Sequence, residues 1–299
     1  MRAAAPPRQE WIERRERGAT VAIRFMVWLA LRLGRTPARV LLYPICAYYF
    51  LFSTAARKAS RTYLARALGR LPSFLDLYRH YLTFGSCVLD RVFLLDDQID
   101  QFDLHIEGED VLIDAVQKQQ GCLLFGAHLG SFEVLRAVGR RQRDLKVSVL
   151  MYEDRKINAV LNAINPSLTR EIISLGRPGS MMEIGRRLGE GGFVGVLADR
   201  SLNDDDQILV PFLGEPARFP LGPFRMSVLL KAPIVLMVGL YRGGRRYDIH
   251  FEPLWDPREG SDAKTAELIA DAATRYVARL EQYCRSAPYN WFNFYEFWR

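Results

Sequence analysis

His128 and Glu133 are the residues of this chain best placed by type and spacing to do chemistry. They sit in Leu123-Leu124-Phe125-Gly126-Ala127-His128-Leu129-Gly130-Ser131-Phe132-Glu133. An apolar run ends in glycine, a histidine follows at once, and a carboxylate lies five residues beyond. A histidine where a buried strand emerges can take a proton from a hydroxyl or an amine, and a nearby carboxylate can orient it. On one regular helix a five-residue step turns about 500°, which leaves the two side chains roughly 140° apart. The pair therefore meets only if His128 occupies the turn after the strand and Glu133 the first turn of the next helix. Glu133 could then accept from imidazole Nδ1 and leave Nε2 as the base, as in a hydrolase triad without its serine. A histidine in a polar loop beside a helix is an equally familiar structural feature.

A second constellation runs from Gly195-Val196-Leu197-Ala198-Asp199-Arg200 through Val210-Pro211-Phe212-Leu213-Gly214-Glu215-Pro216-Ala217 to Leu221-Gly222-Pro223. An acid and a base at the carboxyl end of a buried strand stand where α/β sheets bind ligands. Asp204-Asp205-Asp206 lacks the glycine and the distal glutamate of a calcium loop and reads as a solvated turn. The tail Tyr289-Asn290-Trp291-Phe292-Asn293-Phe294-Tyr295 is dense in aromatics, fitting either core closure or a headgroup-level belt.

The elements that must position these residues alternate. Helical spacing covers 57–95, with strands at Phe102–Glu107, Cys122–Ala127, Val147–Tyr152, Ile172–Leu175, Phe193–Ala198, Ile234–Tyr241 and Tyr247–Phe251. Helices are expected at Val111–Gln119, Ser131–Gly139, Ile157–Ile164, Met181–Leu188, Met226–Lys231 and Ala263–Cys284. The pattern predicts an α/β fold, a mixed and mainly parallel sheet covered by helices, with an N-terminal helical membrane anchor. Residues 1–60 form the basic, apolar anchor region and 61–299 the α/β domain: a helical lead-in at 61–98, a core at 100–255, then the last helix and aromatic tail at 260–299.

Composition supports the anchor. Residues 1–70 hold 14 Lys/Arg and 3 acids, whereas the remaining 229 hold 27 basic and 31 acidic groups. A cationic end on a mildly acidic body calls for an anionic partner. Val40–Ala56 carries no charge, so a membrane surface fits better than nucleic acid, for which no recognition fold is visible. Pro44 weakens a straight span, and a short hairpin or shallow amphipathic anchor is equally compatible. The four cysteines form no CxxC or Cys/His cluster, so no metal site is indicated.

Taken together, these blocks resemble the bacterial lipid A biosynthesis (late) acyltransferases of the lysophospholipid acyltransferase superfamily. The H-x4-E motif His128–Glu133, the V-P-F-x-G-x-P block from Val210 and the Gly222 and Ala232-Pro233 positions carry the likeness over about residues 105–255. The tail and the Asp199-Arg200 pair look more like the homologous acyltransferases of aryl polyene and xanthomonadin pigment clusters. The resemblance implies an enzyme that moves a fatty or aryl-polyene acyl group from an acyl carrier protein or CoA thioester to a hydroxyl or amine of a lipid or glycolipid. It also implies His128 as general base, Glu133 as its orienting and charge-stabilising partner, and no cofactor or metal. Arg170 or Arg200 would bind phosphate or the oxyanion, with Asp199 and Gly222 completing the substrate site. Location at the bacterial inner membrane, facing the cytoplasm, follows from the same likeness. Two other classes compete: a thioester or lipid hydrolase, for which no G-x-S-x-G elbow is present, and a catalytically silent membrane-associated binding protein.

Overall fold

The computed structural model describes residues 27–28, 30–134, 139, 145–152, 164–165, 171–200, 206–259 and 264–298. Three helices come first: α1 (Arg35–Phe52), α2 (Thr54–Leu68) and α3 (Phe74–Leu95). β1 (Asp103–Glu107), α4 (Glu109–Gln117), β2 (Cys122–Gly126), β3 (Val147–Tyr152) and β4 (Ile172–Leu175) follow. The chain continues through α5 (Ser180–Gly189), β5 (Phe193–Leu197), β6 (Gln207–Phe212), β7 (Glu215–Pro220) and α6 (Gly222–Leu230). It ends with β8 (Ile234–Gly243), β9 (Arg246–Trp255), α7 (Thr265–Ser286) and the aromatic tail.

Seven strands make one sheet in the order β1-β9-β8-β2-β5-β3-β4. Every neighbouring pair is parallel except β8 with β9. The expected mixed, mainly parallel sheet is what the chain forms. β2 lies at its centre because Cys122-Leu123-Leu124-Phe125-Gly126 is buried on both faces, as a continuous apolar strand of a covered sheet must be. A separate antiparallel hairpin, β6–β7, was not expected from the sequence. Pro211 and Pro216 face each other in it, and prolines argue against a strand anywhere but an edge.

The lead-in read as one helical stretch over 57–95 is two helices. Gly69, in the left-handed conformation, ends α2, and Ser73 caps α3 reciprocally with Asp76. α1 packs along α3, burying Ala38, Leu42, Cys46 and Phe50 at four-residue intervals. Pro44 lies inside that helix. The other side of α1 is open, exposing Val40, Tyr43, Tyr48, Tyr49, Leu51 and Phe52. No single helix among the described residues is long and apolar enough to cross a membrane. α1 and α2 pass that test only as a pair bent by 95°.

Arginines 35 and 39, which the charge pattern offered to an anionic partner, turn inward. Arg35 is buried and bidentate to Asp90 at 2.8 and 2.9 Å. Its Nη2 also donates to the Gly244 carbonyl at 2.6 Å. Arg39 reaches the same carbonyl and the Tyr241 hydroxyl. These bonds pin α1 to the β8–β9 turn. Removing one partner would leave an uncompensated buried charge, which costs about 3–5 kcal/mol.

Candidate active site

β2 and β5 are parallel neighbours, and their register pairs Gly126 with Leu197. Two residues beyond that pair, the strands deliver His128 and Asp199 side by side. His128 Nδ1 lies 2.8 Å from Asp199 Oδ1. A carboxylate can only accept, so Nδ1 carries the proton and Nε2 keeps its lone pair. The His128 side chain is 40% exposed while Asp199 is fully buried. The imidazole therefore faces partly out of the protein and the carboxylate faces in.

Two further hydrogen bonds and one ion pair hold Asp199. The His128 backbone N–H reaches Oδ2 at 3.2 Å, Trp291 Nε1 donates to the same oxygen at 3.1 Å, and Arg200 Nε stands 3.6 Å from it. Burial pushes the Asp199 carboxyl up. The charges of His128 and Arg200 and the Trp291 hydrogen bond together outweigh burial and hold the carboxyl below its ordinary range.

The His128 loop is fixed by close backbone approach. Gly130 has φ +66°, and a Cβ there would come within 1.9 Å of the Gly239 carbonyl oxygen. No other residue fits. Ser131 N donates to that carbonyl at 2.8 Å, seating the loop on β8. The Phe132 ring lies across Gly126 and Gly195, where side chains on the two strands would strike it. The tail closes the other side: Gly130 N donates to Asn290 O and Phe292 N to His128 O, both at 2.8 Å. The Asn290 amide grips Tyr241 N and O of β8.

Glu133 does not meet His128 Nδ1, and that expected pairing is corrected. The helix that follows β2 begins only at Val134. This leaves Glu133 in a turn, where its carboxylate pairs with Arg91 and accepts from Ser131 Oγ at 3.2 Å. Asp199, assigned by resemblance to the substrate site, takes the Nδ1 position instead. Arg200 Nη2 donates to Phe292 O at 2.5 Å, and its guanidinium lies 5.1 Å from the Tyr295 ring centre. That arginine is thus largely held by the tail. Gly222 opens α6, where an added Cβ would meet open space; no bond among the described residues ties it to the dyad. Arg170, Asp204 and Asp205 lie outside the described residues, and Asp206 pairs with Arg225 at 2.7 Å.

Sequence reasoning missed Trp291. The tail is core closure rather than an exposed belt: Trp291, Phe292 and Phe297 are buried. Phe212 and Phe219 of the unexpected hairpin pack on the same tail rings. The His128–Asp199 pairing did leave a signal. Two apolar runs, Leu123–Ala127 and Val194–Ala198, each end in Ala followed by a residue that can share a proton.

The arrangement offers a part-exposed imidazole, backed by a buried carboxylate, at the carboxyl edge of a mainly parallel sheet. The sequence model described as bacterial lipid A biosynthesis acyltransferase matches residues 88–299. That stretch takes in His128, Asp199 and Trp291 together. No curated protein matches the chain.

Proposed function

The chain belongs to the bacterial lipid A biosynthesis acyltransferase family, and from that premise we propose that it is a membrane-associated acyltransferase with His128 as general base. The observation that carries the reading is the His128–Asp199 pair, which leaves Nε2 of a part-exposed imidazole without a hydrogen-bond partner among the described residues. Nε2 takes the proton of an acceptor hydroxyl or amine as that atom attacks the carbonyl carbon of an acyl thioester. The carbon–sulfur bond then breaks, and the leaving thiolate recovers the proton from Nε2. Asp199 holds the imidazole in one tautomer and stabilises the cation formed between the two steps. Glu133, with Arg91, places a charge pair beside the loop that bears the base.

The donor in this reading is an acyl carrier protein or CoA thioester, and the acceptor a lipid or glycolipid. The acyl group is a fatty or an aryl-polyene chain; the pigment-type tail built around Trp291 and Arg200 favours the latter. The apolar face of α1 supports attachment to the bacterial inner membrane from the cytoplasmic side. Tyr48, Tyr49, Leu51 and Phe52 are exposed there, and Leu71, Phe74 and Leu75 are exposed around the start of α3, where the Phe74 ring meets the buried Phe50 of α1 at 4.7 Å. So extended an exposed apolar surface marks a membrane or partner contact.

The test is direct. The purified full chain is incubated with acyl-carrier-protein thioester and a bacterial membrane lipid extract, and products are read by mass spectrometry. A lipid gaining one acyl mass in step with thiol release is expected. Thiol release with only free acid formed would favour hydrolysis and overturn the proposal.

A further inference from the structure

Trp291 is held at both ends. Its indole Nε1 donates to Asp199 Oδ2 at 3.1 Å, and its carbonyl oxygen lies 2.9 Å from Nε2 of the fully buried His80. A carbonyl only accepts, so His80 Nε2 carries the ring proton. Nδ1 must then accept from the Ser60 hydroxyl, 2.8 Å away. One chain of hydrogen bonds thus runs Ser60–His80–Trp291–Asp199–His128, from α2 through α3 and the tail to the dyad. The His80 ring stacks on Phe294 at 4.6 Å, and the indole packs edge-on to Tyr63 and Phe212 at 4.9 and 5.2 Å.

A tryptophan that merely filled the core would need some acceptor for its N–H. This one spends its only donor on the oxygen of Asp199 that His128 Nδ1 does not use. On Oδ2 the indole N–H is the shorter of two hydrogen bonds, beside the His128 backbone N–H at 3.2 Å. Without it that single longer bond would hold the oxygen, and the carboxylate would fix the direction of the imidazole less firmly. We propose that Trp291 is a positioning residue of the reaction, holding Asp199 so that His128 keeps its proton on Nδ1 and its lone pair on Nε2. This rests on the reading of His128 as the base.

Trp291→Phe removes the donor together with part of the ring. Replacement of the same residue by 3-benzothienylalanine keeps the shape and lacks the N–H, so folding is preserved if the phenylalanine variant fails. With only four histidines in the chain, ¹⁵N-histidine NMR of the full chain in detergent micelles follows the His128 ring whether or not the protein turns over. The signal is assigned with His128→Gln. The expected result is a mixed His128 tautomer where the parent shows the proton on Nδ1 alone. Turnover, read as thiol release from an acyl-carrier-protein thioester, should fall about tenfold or more in kcat with KM unchanged, the scale of one charge-assisted hydrogen bond. An unchanged tautomer in the isosteric variant would overturn the positioning role. Full turnover by His128→Gln would instead overturn the base, leaving the NMR result to stand by itself.

Discussion

Asp199 Oδ1 lies 2.8 Å from His128 Nδ1, and the two residues sit at equal distances past one register pair of two adjacent parallel strands. The dyad is therefore placed by the sheet, at the start of the two segments that leave β2 and β5. The tail, the His128 loop and α7 brace the same point, since Tyr276 donates to the Gly126 carbonyl at 2.8 Å.

Asp199→Asn tests the tautomer. An amide in that pocket can offer an N–H to Nδ1, moving the ring proton to Nε2 and cancelling the base. Turnover should fall about 10³-fold or more, by analogy with amide replacement in hydrolase triads. Circular dichroism should show an intact fold. Turnover within tenfold of the parent would count against the dyad.

Glu133→Gln separates the two carboxylates. Its partners are Arg91 and Ser131, so the change should lower turnover through the loop and leave the acid limb of the pH–rate profile in place. Asp199→Asn should abolish or displace that limb. If the glutamine variant moves the acid limb as much as the asparagine variant, Glu133 acts on His128 directly.

His80 ties stability to pH. Burial, only partly offset by its bond to the Trp291 carbonyl, lowers the imidazole from 6.5 to about 4. Between those values the unfolded chain takes up a proton that the folded chain refuses. Stability should therefore be full above pH 6.5 and fall as the pH drops towards 4, by roughly 3 kcal/mol. Below 4 this contribution levels off. Denaturant melts of the parent and of His80→Phe across this range should differ by that slope, and parallel curves would refute it.

The exposed face of α1 should bind bilayers. Tyr48→Asp with Phe52→Asp should weaken partition into phosphatidylglycerol vesicles by tenfold or more, since each large side chain contributes about 1.5–3 kcal/mol when buried. Both residues point away from the α3 contact, so thermal stability should hold. Unchanged co-sedimentation would assign the face to another partner.

The α/β alternation was legible because each central strand is an apolar run bounded by turn residues, as in Cys122–Gly126 and Phe193–Leu197. The β6–β7 hairpin was not legible, because its prolines and its polar outward residues mimic a loop. His128 stood out through its position after a strand, but its partner did not. Nearness in sequence favoured Glu133, whereas the partner arrives from 71 residues away through strand order, which no local pattern encodes. The tail read as aromatic density. That one of its indoles would reach Asp199 depends on its antiparallel bridge with Leu129, a tertiary fact.

The most direct test of the account is the rate of thiol release from acyl-carrier-protein thioester by His128→Gln, measured with and without lipid acceptor beside the parent protein. The account predicts acceptor-dependent release by the parent and a rate at least about 10³-fold lower in a folded variant. Equal rates in the two proteins, or release by the parent that ignores the acceptor, would contradict it.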